Sequence, residues 1–276
     1  HQLRVSRALS ERFPQRFLLA DEVGLGKTIE VGLALRQLVL DRRVQRALLL
    51  VPHSVIRQWQ EELFEKFCLD VPRYEDGKFR TVRGAAWEPR TANPFASEPL
   101  LLVSSQLAKR RDRFEDLLAA GPWDLVVVDE AHHARRHGFE RGLDQPNRLL
   151  ALLRALSERT RGLWLLSATP MQLHPMELWD LLVLLGLGGR WGASPRWFLR
   201  FYEELRRGPA EIDWSVVLPL VREEVRVQQI DPVFAREAEA KLGFVRWEEV
   251  RRILTGESER KPSHLDESQR QWLFAG

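Results

Sequence analysis

Five short runs of nearly continuous apolar residues punctuate the first two thirds of the chain, at 17–20, 47–51, 100–104, 125–129 and 163–167. Each is bounded by Pro, Asp, Ser or Gly and is apolar on both faces, which is how strands buried on both sides of a parallel sheet read. Between them the pattern changes period. In the stretch 55–67, Val55, Trp59, Leu63 and Phe67 recur at helical spacing, and 147–157 is a second amphipathic stretch. This alternation predicts an α/β fold, a parallel sheet covered by helices on both faces. The segment 73–99 breaks the rhythm: it holds Gly77, Gly84, Pro89, Asn93, Pro94 and Pro99 among many charges and reads as a long surface excursion between two core strands.

After about Gly186 only helical signals remain. Ser194-Pro195 is a cap followed by Pro at the first helical position, with Gly208 as a stop; Asp231-Pro232 and Gly243 repeat the start and the stop. A further helix spans 245–254, with Trp247, Val250 and Leu254 on one face, and ends near Gly256. The expected organisation is an α/β domain over 1–185 and a helical appendage over 186–276.

Charge and composition narrow this little. A formal net charge of +3 permits a nucleic-acid partner without requiring one. The single cysteine, Cys68, excludes an intrachain disulfide and a Cys-based zinc site and reads as a small core residue in a reducing compartment. No apolar run approaches the roughly 20 residues needed to cross a bilayer; the longest, 178–187, is interrupted by Asp180. The opening His1-Gln2-Leu3-Arg4 is no signal peptide and begins inside patterned sequence, so a piece of a longer intracellular protein is expected.

The chemistry sits where the apolar runs end. After the first come Asp21, Glu22, Val23, Gly24, Leu25, Gly26, Lys27 and Thr28, leading into a helix. A phosphate-binding loop needs this setting: the glycines let backbone N–H groups turn toward phosphate oxygens, and the helix N-terminus adds its positive dipole end. Lys27 would reach the β- and γ-phosphates of ATP, and Thr28 would offer its hydroxyl to Mg²⁺. The general pattern has Gly where this chain has Asp21. The bland alternative is a Gly-containing helix entry with a surface lysine.

The fourth run ends in Asp129-Glu130-Ala131-His132. Asp129 would hold Mg²⁺, and Glu130 would orient and deprotonate the attacking water. Alone, the pair would be an ordinary capping turn. Ser167-Ala168-Thr169-Pro170 ends the fifth run, where ligands bind in open parallel sheets, and its hydroxyls would bond the 129–132 turn. His132, His133 and His137 invite a metal reading, but no carboxylate spacing completes a zinc site. The ten tryptophans read first as packing anchors, Trp59 among them.

Taken together, residues 21–30 resemble the first motif of SWI/SNF-type ATPases of helicase superfamily two, a version that begins with Asp. Val51-Pro52 with Gln58, Trp59 and Glu62 is similar to the next motif, and 129–133 and 167–170 complete the set. Residues 20–30, Asn93-Pro94-Phe95 and Trp123-Asp124-Leu125 look most like the bacterial, RNA-polymerase-associated RapA-like branch. The resemblance covers roughly 1–185. It implies a P-loop NTPase fold of RecA type, an adenine-recognising role for Gln2, and coupling of nucleotide state through His132, Ser167 and Thr169. It places Pro52, Ser104 and Ser105 near a nucleic-acid track, and it implies double-stranded DNA as partner, RNA polymerase as a further one, and the bacterial cytoplasm or nucleoid as location.

The expected function is therefore the ATP-binding lobe of a DNA-dependent ATPase that translocates on duplex DNA. The alternatives are a strand-separating or RNA-directed DEAH-type helicase, and a non-hydrolysing ATP-gated scaffold. Motors of this family close ATP between two RecA-like lobes, the second supplying arginines worth about 10³–10⁵ in rate. Nothing after Pro170 resembles such a lobe, so residues 1–276 alone are expected to bind nucleotide weakly and turn it over slowly.

Overall fold

The apolar runs become the centre of one sheet. The strands are β1 (Phe17–Leu19), β2 (Ala47–Val51), β3 (Arg73–Glu75), β4 (Lys78–Arg80), β5 (Ala86–Trp87), β6 (Leu100–Ser104), β7 (Trp123–Val128), β8 (Arg136–His137), β9 (Gln145–Pro146) and β10 (Thr160–Leu166). The computed structural model describes residues 1–20, 26–137, 145–168, 174–207 and 211–275. Among these, eight strands form one sheet in the order β1-β10-β7-β2-β6-β3-β4-β5, parallel from β1 through β3. Parallel neighbours need crossovers, and the helices between the strands supply them: α2 (Lys27–Leu40), α3 (Ile56–Phe67), α4 (Ser105–Ala108), α5 (Arg111–Ala119) and α6 (Arg148–Ser157), while α1 (Gln2–Glu11) precedes β1 and α7 (Pro175–Leu184) follows β10.

Strand periodicity sorts the core cleanly. Leu48, Leu50, Leu101, Val103, Val126, Val128, Leu163 and Leu165 face one way, where α5, α6 and α7 bury Leu117, Leu153 and Leu181 against them. Leu49, Val51, Leu102, Leu125, Val127, Trp164 and Leu166 face the other way, under Leu9 of α1, Leu35 of α2 and Trp59 and Leu63 of α3. Both faces are thus covered, which is why these strands carry no polar alternation. The chain is an α/β protein with a parallel-dominated sheet, helices on both faces and a helical C-terminal region.

The segment 73–99 is not a surface excursion. β3 joins β6 in parallel, and β4 and β5 extend the sheet as an antiparallel edge. Asp76 and Gly77 both have positive φ, 51° and 79°, and form the two-residue turn between β3 and β4. Asp-Gly is the strongest short hairpin signal a sequence carries, and here the surrounding charges obscure it. Tyr74, Phe79 and Phe95 enter the core, with Tyr74 5.2 Å by ring centroid from each of the other two. The buried Gln60 of α3 donates to the Val71 carbonyl at 2.9 Å and to the Arg80 carbonyl at 2.7 Å, so the extension is tied to a core helix.

Two polar constructions hold the ends of the sheet. Asp180 of α7, fully buried, accepts from Arg136 of β8 at 2.6 and 2.8 Å and from Arg154 of α6 at 2.8 Å. At the opposite edge, Asp124 Oδ2 accepts from the backbone N–H of Gln45 at 2.8 Å and of Arg46 at 3.0 Å, locking the entry of β7 to that of β2.

The chain folds as two compact units, 1–186 and 187–276. The second consists of α8 (Gly189–Ala193), α9 (Pro195–Arg207), α10 (Trp214–Gln228), α11 (Pro232–Leu242), α12 (Phe244–Thr255) and α13 (Glu267–Ala275). Asp231 caps α11 by accepting from Val233 and Phe234, and the left-handed Gly256 ends α12. Trp247, Val250 and Leu254 of α12 lie in this unit's own core with Ala238 and Leu242 of α11. Gly208 lies outside the described residues, and Cys68 is not a core residue: it ends α3 in a left-handed conformation and is exposed. Among those described, no helix is long and apolar enough to cross a membrane.

Burial pushes the Asp124 carboxyl up, and the two backbone N–H bonds together with Arg161 outweigh it, leaving it below the usual aspartate value. A carboxyl lowered on folding stabilises the fold above its unfolded pKa, and this stabilisation is lost as pH falls through the folded one. Asp124→Asn is expected to cost about 1–2 kcal/mol at neutral pH. It should also flatten the loss of stability below about pH 4, since the variant has no proton to gain there. Urea unfolding at pH 7 and pH 3 measures both.

Candidate nucleotide-binding site

The sequence-predicted residues that the structure describes collect at the carboxyl edge of the parallel strands. Register places them there: the Asp129 N–H donates to the Leu50 carbonyl at 2.8 Å, and the Ser167 N–H to the Leu19 carbonyl at 3.0 Å. Each apolar strand therefore stops in the same row, and the polar residues that follow share one edge.

Gly26 opens α2. Its φ of 92° and ψ of 33° are left-handed, and its carbonyl accepts the first helical bonds, from Ile29 at 2.8 Å and Glu30 at 3.0 Å. Lys27 and Thr28 occupy the first turn, both half-buried, where the helix presents its positive end. Gln2 of α1 lies against this junction: a Cβ on Gly26 would stand 2.0 Å from Gln2 Nε2. The close approach joins the upstream glutamine to the end of the loop. Asp21, Glu22, Val23, Gly24 and Leu25 lie outside the described residues, as does Thr169.

Asp129 ends β7 at 9% exposure. Its Oδ1 accepts from the Glu130 N–H at 3.0 Å, and its Oδ2 from the indole N–H of Trp59 at 2.9 Å. Burial pushes its carboxyl above the ordinary range; the Trp59 bond opposes this, neighbouring Glu130 adds to it, and the charge of Lys27 lowers it. A buried carboxylate bonded only by neutral donors carries charge that a cation would stabilise. Asp129 with the Thr28 hydroxyl thus fits an Mg²⁺ held with a phosphate chain.

Glu130 takes a left-handed conformation, φ 52° and ψ 47°, which is uncommon for a residue with a Cβ. The turn brings its side chain back toward His132, whose Nδ1 lies 3.1 Å from Glu130 Oε2 and 3.3 Å from Ser167 Oγ. His132 therefore bridges the ends of two neighbouring strands. His133 lies beside it, with ring centroids 4.3 Å apart and the planes tilted by 47°, and burial holds its pKa down.

The remaining predicted positions are adjacent but differently engaged. Val51 pairs with Ser104, which sets Pro52 beside Ser105 at the same edge. Ser104 and Ser105 are buried, and the Ser104 hydroxyl caps α4 by accepting from Leu107 at 3.1 Å. Gln106, next to Ser105, is exposed, and its Oε1 accepts from the N–H of the likewise exposed His53 at 2.9 Å. Composition and spacing point to neither Gln106 nor the bond from Trp59. The second has a legible trace, a tryptophan at a core-facing helical position one turn into the helix that follows β2.

The chain is similar to known proteins in sequence and in fold. The family model described as SNF2-related domain matches residues 1–218. Over 173 residues the chain is 42% identical to the RNA polymerase-associated protein RapA of Pseudomonas aeruginosa, covering 63% of this chain and 17% of that protein. RapA of Vibrio campbellii is likewise 42% identical over 174 residues, with the same coverage of 63% and 17%. The chain thus spans about a sixth of the length of these curated relatives. Among solved structures, the Sulfolobus solfataricus SWI2/SNF2 ATPase core in complex with dsDNA superposes with a TM-score of 0.53 at 16% identity, over 90% of this chain and 51% of that one. The Sulfolobus solfataricus SWI2/SNF2 ATPase core domain gives a TM-score of 0.53 at 19% identity, over 75% and 38%. These likenesses identify the fold as that of the RecA-like SWI2/SNF2 core.

Gly26→Ala imposes two penalties, a left-handed backbone on a residue with a Cβ and a collision with Gln2. A loss of about 1–3 kcal/mol is expected in a thermal melt. Adding Gln2→Ala should recover the steric part alone, visible as a non-additive double-mutant cycle.

Proposed function

The chain belongs to the SNF2-related domain family, and from that premise we propose that residues 1–185 are the ATP-binding lobe of a DNA-dependent ATPase that translocates on duplex DNA. The observation that carries this reading is the meeting at one sheet edge of the α2 N-terminus, with Lys27 and Thr28, and the Asp129–Glu130–His132 turn. The charge of Lys27 is the smallest of the influences on the Asp129 carboxyl, and it acts in the direction expected if the two motifs share a ligand.

In this reading the backbone around Gly26 and the side chain of Lys27 bind the phosphate chain, and Asp21 to Leu25 complete the loop. Thr28 and Asp129 would hold Mg²⁺, which supplies charge neutralisation on the phosphates when bound. Gln2, packed on Gly26, would recognise adenine. Glu130 accepts a proton from the water that attacks the terminal phosphorus; the bond to the bridging oxygen breaks, giving ADP and phosphate. His132, beside both Glu130 and Ser167, passes the state of that carboxylate to the end of the neighbouring strand, and Thr169 would share this coupling role. Pro52, Ser104 and Ser105 mark the edge over which a nucleic-acid backbone would run.

Duplex DNA as the track rests on the likeness to a core solved with dsDNA, and RNA polymerase as a partner on the name of the relatives. Their setting suggests the bacterial cytoplasm or nucleoid. A second RecA-like lobe would complete the site, and the helical residues 186–276 would lead toward it.

In the protein that carries this chain, Glu130→Gln is expected to retain ATP binding and to lower turnover by about 10²–10⁴-fold. Lys27→Ala should weaken binding itself. ATPase assays with duplex DNA, single-stranded DNA and RNA should show the largest stimulation by duplex. Preferential stimulation by single strands would favour a strand-separating enzyme, and full activity of Glu130→Gln would remove Glu130 from the role of base.

A further inference from the structure

We propose that Trp59 is a positioning residue for the metal site, holding the Asp129 carboxylate in the orientation that receives Mg²⁺. The inference rests on the reading of Asp129 as a metal-binding carboxylate and adds a residue to it.

The geometry is specific. Trp59 is 3% exposed and occupies the first turns of α3, the helix that follows β2. Because β2 pairs directly with β7, the start of α3 overhangs the carboxyl end of β7, where Asp129 stands. The indole N–H meets Oδ2 at 2.9 Å in a fully buried hydrogen bond. A tryptophan N–H is a donor only, so the contact has one polarity: it is made to an acceptor oxygen and cannot turn round. With Oδ1 accepting from the Glu130 backbone N–H, the carboxylate is held at both oxygens by two fixed donors.

The choice of donor matters. An arginine or lysine in the place of Trp59 would bring a positive charge against the carboxylate and compete with a divalent cation. An indole N–H orients without neutralising, and each oxygen keeps lone pairs beyond the one it uses. The ring itself is part of the core, beside Leu63 and Phe67 of α3. Its position is therefore set by packing rather than by the bond it makes. Carboxylates that bind metals are held in this way by surrounding groups, and losing such a group commonly weakens metal affinity about 10–100-fold.

The test separates the hydrogen bond from the packing. Trp59→Phe removes the donor and some volume. Site-specific incorporation of 3-benzothienylalanine at position 59 removes the donor alone, since sulfur replaces N–H in a ring of the same shape. Binding of a methylanthraniloyl-labelled ATP is titrated by fluorescence in EDTA and across a range of Mg²⁺ concentrations, with thermal melts alongside.

The expected result is that both variants bind the labelled nucleotide in EDTA as the native protein does, while the Mg²⁺ concentration for half-maximal enhancement rises about tenfold or more. The benzothienyl protein should also melt within a few degrees of native. An Mg²⁺ midpoint within twofold of native in the benzothienyl protein would overturn the positioning role. An equal loss of binding with and without Mg²⁺ would overturn it too, as the sign of a purely structural residue. A native protein whose nucleotide binding ignores Mg²⁺ would overturn the metal assignment of Asp129 itself, a failure distinguishable from the other two.

Discussion

A carboxylate at the end of a buried strand is the constraint around which this fold is arranged. Asp129 cannot reach bulk water as an exposed aspartate would, and ionising it in that position is costly unless other groups support the charge. The surroundings supply that support in layers. A backbone N–H and an indole N–H fix its two oxygens, and Lys27 contributes positive potential from the start of α2. What remains is a preoriented carboxylate at the sheet edge from which α2 starts, the arrangement on which the proposed metal-bound phosphate site rests.

The parallel sheet makes this possible. Parallel strands end together, so residues distant in sequence meet where the regular structure of each strand stops. Lys27, Pro52, Ser104, Asp129 and Ser167 each follow directly on a strand or open the helix after it, and the sheet register lines them up. The two hydrophobic layers fix the strands, and the strands fix the site. Among the described residues of this edge, Gly26 and Glu130 have positive φ, and of the two only Glu130, the residue proposed to handle the proton, carries a Cβ.

Much of this is legible in the sequence because its signals are local. Runs buried on both faces announce parallel strands, and Gly26-Lys27-Thr28 or Asp129-Glu130 take their meaning from the strands they follow. The segment 73–99 misleads because its apolar residues are sparse: Tyr74, Phe79 and Phe95 are separated by charges that lie on the solvent side, and the Asp76-Gly77 turn is the one strong cue. Ser104 and Ser105 sit at the right edge, but spacing does not reveal that one hydroxyl is consumed as a helix cap. The bond from Trp59 to Asp129 spans 70 positions and depends on β2 lying next to β7. No periodicity within either segment encodes that neighbour relation.

The central claim is that α2 and the Asp129 turn form one Mg–nucleotide site. Paramagnetic broadening by Mn²⁺ with a non-hydrolysable ATP analogue tests it most directly, read on backbone amide resonances of the isotope-labelled chain. The account predicts broadening centred on Gly26–Thr28 and Asp129–His132, reaching the Trp59 indole, and sparing α11 and α12. Broadening centred elsewhere, or confined to one of the two motifs, would contradict it.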